Sequence, residues 1–418
     1  MEAYLGNIIR YNRMKQKKTQ HEVSQGICSI SHLSKIEKGV YLPNEETLNL
    51  LFRRLGKKLD VEQDSHEKLI KRMDDFYHYW TYSDINQLQA TILEMRKEKQ
   101  HLIFSDRINQ YLLFNIAYAI LSGETEGLQK EMNDFENLEL LSRREQSFFV
   151  LLKTTFLNQH GASKEAIRYI EENGSKISNE DISEFEYQKG LAFSYHVNPA
   201  LSLIYMGKAL ASFSTHTNFT KVAMCKSVMA INYERLNLFE EAENEYLDVL
   251  RITQKLDNQN LYHETTYNFG LYLKNQKKFR EALVQFMRCE DYFDSNKLHK
   301  YLLNLVIWET RLELDDLEEE SKELLSQEMN QIAKLIKIKE KYLVYAQLLE
   351  LKSSGKMKEY HQLLEKKYIP LLKKDKSFIE LKLKYMELIE NYRFNEKKYY
   401  SLIEKFYLNE IEMEMFSR

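Results

Sequence analysis

The chain of 418 residues holds only 12 glycines and 3 prolines, well under the usual shares of about 7% and 5%. Hairpin-built sandwiches and glycine-rich nucleotide folds need more of both, so the sequence predicts an all-α protein. Its three cysteines, Cys28, Cys225 and Cys289, stand far apart with no CxxC. Neither a disulfide framework nor a structural zinc site is expected from them. No apolar run reaches the roughly 18 residues of a membrane span, and the first 30 residues are charged throughout rather than leader-like. A cytoplasmic protein without membrane partners is the expectation.

Chemistry is missing as well. There is no Walker loop, HExxH, GxSxG or Rossmann glycine pattern. The 11 histidines are scattered, and carboxylates sit in surface-like runs such as Asp315-Asp316 and Glu318-Glu319-Glu320. No catalytic residue, metal or cofactor is expected, and the chain does not read as an enzyme.

What is present is uneven charge. Residues 1–60 carry 11 Lys/Arg against 6 Asp/Glu, and the remainder 49 against 57, out of a total net charge of −3. A basic head on an acidic body suggests that the head meets a polyanion.

The head divides into four short amphipathic segments. Leu5, Ile8, Ile9 and Tyr11 form the apolar side of a first helix ending near Lys15. Thr19 with Glu22 three residues on has the form of a capping box opening a second helix, which stops by Gly26. Ser29 suits the N-cap of a third, with Leu33 and Ile36 inward and Gly39 at its left-handed exit. Pro43-Asn44 introduces a fourth, carrying Leu48, Leu51 and Leu55 and ending at Gly56. The organisation predicted is residues 1–60 as one domain, 61–66 as a polar linker, and 67–418 as a repeat domain.

Small residues reveal the repeat. Gly190 and Ser202, Ala230 and Ala242, and Gly270 and Ala282 are each 12 apart, and the three pairs recur every 40 residues. Ala209, Val249 and Cys289 each fall seven after the second member. Small residues so placed let two antiparallel helices approach and the next pair stack on them, leaving a concave surface. Weaker copies are placed at Asn115/Gly127 and Thr154/Ala166 upstream and around Tyr360 and Tyr399 downstream, for about eight helix pairs in all.

The head resembles the Xre/Cro-type helix-turn-helix family. Thr19-Gln20-His21-Glu22-Val23 matches its second helix, and Ser29 through Gly39 matches the recognition helix and its exit; Gly26-Ile27-Cys28 is about one residue short. The body is similar to tetratricopeptide repeats, with units of 40 rather than 34 residues. Head, body and length together resemble the RRNPP group of quorum-sensing receptors, most of all its NprR-type members. The resemblance implies a right-handed α-superhelix that binds a short re-imported peptide, altering DNA binding or oligomeric state.

On that resemblance Ile30, Ser31 and Lys35 face base edges, Ile30 against a thymine methyl and Lys35 against a guanine. Ser29 lies in the same N-terminal turn, while Gln20, Ser34 and Lys38 hold phosphates. Arg10 and Glu37 fit a family ion pair between the first and third helices. One head offers few phosphate contacts, so a homodimer across a two-fold operator is expected.

An extended peptide brings N–H and C=O groups that need partners once desolvated, and Asn or Gln offers both a donor and an acceptor. Asn268 and Gln188 stand two residues before Gly270 and Gly190, and Asn232 two after Ala230. Tyr267 and Tyr187 precede the first two. Asn304, Trp308 and Arg311 could extend the lining. Lys274 or Arg311 could take the peptide carboxylate, and Glu184 or Glu264 a basic group. Two other readings stand beside the peptide-gated regulator. One is a ligand-independent repressor. The other is a protein-binding switch on a response regulator, using Gln87, Gln89 or Gln110 in the bundle of residues 67–150.

Overall fold

The computed structural model describes residues 3–82, 84–97, 107–124, 127–136, 141–196, 198–316, 318–374 and 378–417. Among them every regular element is a helix. The chain forms two compact units, Met1–Tyr195 with Leu201–Cys225, and His196–Ala200 with Lys226–Arg418.

The first unit opens with α1 (Ala3–Lys15), α2 (Gln20–Ser24), α3 (Ile30–Glu37) and α4 (Glu45–Arg54). Each boundary follows from a local signal. The Thr19 hydroxyl accepts the Glu22 amide at 3.2 Å and the Glu22 carboxylate accepts the Thr19 amide at 2.6 Å, which is the expected capping box. Ser29 and Asn44 accept the amides of His32 and Thr47 at 3.1 and 2.9 Å. Gly26, Gly39 and Gly56 exit with φ of +74°, +68° and +72°, where a side chain would be strained. Leu5, Ile8, Ile9, Leu33, Ile36, Leu48, Leu51 and Leu55 close one core with Val23 and Phe52; Tyr11 is only half-buried.

The expected linker is not a loop. Residues 61–66 lie inside α5 (Leu59–Tyr82), a 24-residue helix, and Lys57 reaches Glu62 at 3.0 Å across its start. The polar residues there are the solvated side of a helix, which composition alone does not distinguish from a linker. The unit continues through α6 (Ile85–Lys97), α7 (Ile108–Ser122), α8 (Leu128–Glu136), α9 (Arg143–Gln159), α10 (Ser163–Asn173) and α11 (Ile182–Tyr195). Its second core is aromatic, with Phe76 stacked on Phe114 at 4.1 Å.

Next come α12 (Pro199–Thr215), α13 (Phe219–Arg235), α14 (Phe239–Lys255), α15 (Gln259–Asn275), α16 (Phe279–Met287), α17 (Glu290–Phe293) and α18 (Lys297–Glu313). The chain ends with α19 (Glu319–Leu335), α20 (Glu340–Ser353), α21 (Met357–Leu363), a π-turn over Leu364–Tyr368, α22 (Ile369–Lys374), α23 (Phe378–Asn391) and α24 (Glu396–Ser417).

The 40-residue ruler is built into the packing. Ser202 donates its hydroxyl to the Gly190 carbonyl at 2.7 Å, so the two small residues of one pair touch. A Cβ on Gly190 would stand 2.8 Å from Met206, and one on Gly270 2.6 Å from the Phe286 ring. Ala230, Ala242, Ala282, Ala209, Val249 and Cys289 are all fully buried. The turns repeat too. Asn237 and Lys277 both have φ of +60°, and Thr217 and Asp257 have +53° and +50°. Asn218 and Asn258 then cap α13 and α15 through the Lys221 and Leu261 amides. Of the weaker copies, Thr154 and Ala166 are buried as the ruler requires. Gly127 is not, being an exposed turn residue with φ of +77° ahead of α8.

Candidate DNA-binding face and peptide-lining cavities

In α3 the amphipathic spacing turns Leu33 and Ile36 into the core. Ser29, Ser31, Lys35 and Lys38 are left exposed, Ile30 is 47% exposed and Ser34 is half-buried. The helix therefore presents short hydroxyls, one apolar side chain and two ammonium groups at its N-terminal turn and along one side. That is the chemistry a major-groove helix uses. His32 packs its ring 4.4 Å from Tyr41.

Gln20 and Glu37 differ from expectation. Glu37 is 2% exposed and takes a bidentate hydrogen bond from Arg13, at 2.6 and 2.8 Å, rather than the expected pairing with Arg10. Arg10 and Arg13 are three residues apart on one helical face, so spacing could not choose between them. Gln20 donates to the same carboxylate at 2.9 Å. The pair ties α1 to α3, and Gln20 draws the start of α2 into it.

In the first unit α9, α11 and α13 present one face to a cavity of about 250 Å³. Glu184, Tyr187, Gln188, Leu191 and Tyr195 all line it, because offsets of three, four, seven and eleven residues return to one side of a helix. The polar groups are joined. Asn158 Nδ2 donates to the Gln188 carbonyl at 3.0 Å and to its Oε1 at 3.1 Å. Gln188 Nε2 donates to Glu184 Oε1 at 3.0 Å, and Lys221 Nζ stands 2.7 Å from Glu184 Oε2 and 5.1 Å from the Tyr187 ring centre. Asn158, Tyr187, Gln188 and Lys221 are all nearly inaccessible, at 4–5% exposure. Asn158 Oδ1 and Trp80 Nε1 are buried without a hydrogen-bond partner. Cys225, beside Lys221 in charge but desolvated, has its thiol pushed up to about 12 by burial and is unreactive at neutral pH.

In the second unit Tyr267 and Lys274 line a cavity of about 300 Å³ with Glu309, Tyr342, Tyr345 and Lys384. Lys274 is ion-paired to Glu309 and Lys384 to Glu387. Burial pushes the Glu309 carboxyl up, but Lys274, Tyr345 and Lys384 together outweigh it and leave the group below its ordinary value. Burial raises the Tyr267 phenol.

The remaining expected lining residues scatter. Asn268, next to Tyr267, is half-buried, and its amide makes no hydrogen bond among the described residues. Asn232 is fully buried and donates to the Val228 carbonyl of its own helix at 2.8 Å. Asn304 is 1% exposed and donates to Glu328 at 2.8 Å. Trp308, equally buried, borders a different cavity of about 720 Å³ beside α19 and α20. Arg311 lines none of the three cavities, and its Nε is buried without an acceptor. Of the bundle glutamines, Gln87 and Gln89 are exposed, whereas Gln110 is buried and accepts from Arg107 at 3.0 Å.

Asn158 and Lys221 escaped the sequence reading. Asn158 follows the small-residue position Thr154 by four, one helical turn on the same face, and that spacing was the available signal. Lys221 had none, since its partner lies on a different helix.

Comparison with known proteins bears on the head and on the fold. Residues 9–61 match the helix-turn-helix family HTH_3. The chain is 22% identical over 421 residues to the transcriptional activator NprA of Geobacillus stearothermophilus, covering 92% of this chain and 97% of that one. It is 25% identical over 343 residues to the regulatory protein RapD of Bacillus subtilis (strain 168), covering 78% and 94%. Its fold matches the apo form of the quorum sensor NprR from B. thuringiensis with a TM-score of 0.62 at 18% identity, over 83% of this chain and 99% of that one. NprR in complex with its cognate peptide NprX gives 0.58 at 18% identity, over 80% and 98%.

Residues 9–61 thus form a helix-turn-helix domain set on an all-helical, tetratricopeptide-like body. The body that follows is all-helical and shares its fold with the quorum sensor NprR. No helix among the described residues is long and apolar enough to cross a membrane.

Proposed function

We propose that this protein is a transcriptional regulator whose α3 reads an operator as a homodimer and whose repeat body binds a short signalling peptide that alters DNA binding or oligomeric state. The observation that carries the reading is the joined row Asn158, Gln188, Glu184 and Lys221, held nearly dry around an apolar cavity with one amide oxygen unspent. A buried polar group without a partner is costly, and a ligand amide supplies what is missing. The NprR relative, whose structure is described as a complex with its cognate peptide, supports the same ligand class. Ser29, Ile30, Ser31, Ser34, Lys35 and Lys38 remain the proposed DNA contacts, with Gln20 positioned through Glu37.

The test is a thermal shift of the full chain against the short-peptide fraction of its own culture medium. A ligand at about 100 times its Kd adds roughly 2.7 kcal/mol. A rise in Tm, lost in Asn268→Ala or Asn158→Leu with the fold intact, is the expected result. Binding to operator DNA should weaken steeply between about 50 and 200 mM salt. No shift at saturating fractions overturns the peptide reading in favour of a ligand-independent repressor or a protein-partner switch. A flat salt response overturns DNA binding.

A further inference from the structure

Resting on the peptide reading, we infer that the first-unit cavity is a subsite for one large uncharged side chain of the peptide, together with the backbone amide beside it. Size sets the first limit. A cavity of about 250 Å³ exceeds the roughly 150 Å³ space that holds a benzene, yet lies below the 300 Å³ or more of a site for a whole small ligand. It takes a Leu, Met or Phe side chain, not a peptide.

Charge sets the second. The walls between the polar groups are Ile85, Leu88, Leu121, Leu191 and Met224. The two charged linings, Glu184 and Lys221, already neutralise each other at 2.7 Å, with 12% and 6% of their side chains exposed. Glu184 is therefore not a free carboxylate awaiting a basic residue, as the sequence suggested. A Lys or Glu of the peptide would enter this space desolvated and opposite a pair that is already closed.

Hydrogen bonding sets the third. Asn158 gives its Nδ2 to both oxygens of Gln188, which fixes the orientation of the amide and leaves Oδ1 buried and empty-handed. Gln188 is satisfied at both ends. The site thus lacks one donor, for Asn158 Oδ1, and one acceptor, for the indole N–H of Trp80. A single peptide unit carries one of each.

The experiment uses the full chain carrying Trp308→Phe, so that Trp80 is the sole indole reporter. It is titrated with a positional-scanning library of acetylated, amidated hexapeptides, read by Trp80 fluorescence and by Tm. One position should prefer Leu, Met or Phe over Lys and Glu by tenfold or more, the scale of burying one such side chain. Met224→Ala should move that preference towards Phe and Trp, which a merely structural role would not do. Asn158→Leu should weaken binding of the preferred pool about tenfold, in a free protein that still unfolds cooperatively at a somewhat lower Tm. Library binding with a charged residue preferred at every position, or a preference unmoved by Met224→Ala, overturns the subsite and leaves the peptide reading standing. A library and a culture-medium fraction that both fail to raise Tm overturn the two together.

Discussion

The head and the three regular repeats leave most of their helices by different means. In the head a hydroxyl or amide caps α2, α3 and α4, and glycine supplies the left-handed exit at Gly26, Gly39 and Gly56. In the three regular repeats, between Gly190 and Cys289, the left-handed positions are Thr217, Asn237, Asp257 and Lys277, none a glycine and each 20 residues after the last. Local chemistry therefore determines the head's turns, whereas packing of Ser202 on Gly190 and Phe286 on Gly270 imposes the body's.

The sharpest break in that comparison comes from adding one methyl to each region. A Cβ on Gly6 would lie 1.8 Å from the backbone carbonyl oxygen of Ile36, so α1 and α3 must separate. Gly6→Ala should cost about 4 kcal/mol and abolish DNA binding first. Gly270→Ala meets only the Phe286 ring, at 2.6 Å, which can turn. It also gains about 1 kcal/mol of helix propensity, for a net loss of about 1–2 kcal/mol. Chemical denaturation of the two variants measures both; equal losses would mean that the head is no more tightly set than the repeats.

Ion pairs extend the contrast. Glu37→Gln leaves Arg13, 14% exposed in its side chain, without a carboxylate and should destabilise the head by about 3 kcal/mol. DNA affinity should fall with it, whereas Tm shifts produced by peptide should persist. In the body Glu309 is held below its ordinary value of 4.5 by Lys274, Tyr345 and Lys384 acting against burial. Its folded form binds fewer protons than the unfolded form near that pH, so the stabilisation is present above about pH 4.5 and is lost as pH falls through the depressed value. Glu309→Gln should remove about 2 kcal/mol at neutral pH and flatten the acid limb of stability. An unchanged acid limb would sink the assignment.

The same contrast explains what could be read from the residues. Caps and glycine exits of the head are local patterns, and they lie where expected, as do the small residues of the three regular repeats. Choices between helices were not legible: Arg13 rather than Arg10 meets Glu37, and Lys221 rather than a peptide group meets Glu184. Nor could composition separate the solvated side of α5 from a linker. On α18 both faces carry polar residues, so periodicity could not say that Asn304 and Trp308 would be buried and Glu309 would line the cavity. Such outcomes depend on which neighbouring helix arrives, and a single sequence holds no direct record of that.

The smallest predicted effect tests the turns themselves. Gly56 has φ of +72° and open space where a Cβ would be, so Gly56→Ala carries only the conformational cost, about 1 kcal/mol. Lys277 sits at +60° without that freedom. Lys277→Gly relieves about 1 kcal/mol of strain but loosens the unfolded chain by roughly half as much, for a net gain of about 0.5 kcal/mol. Asn237→Gly should be near neutral, because Asn tolerates the left-handed region better than Lys. Tm measured on the three variants should therefore rank Lys277→Gly above Asn237→Gly, and both above Gly56→Ala. If Lys277→Gly lowers Tm, the Lys side chain stabilises its turn by contact, and the repeats are set at their corners as well as at their helix faces.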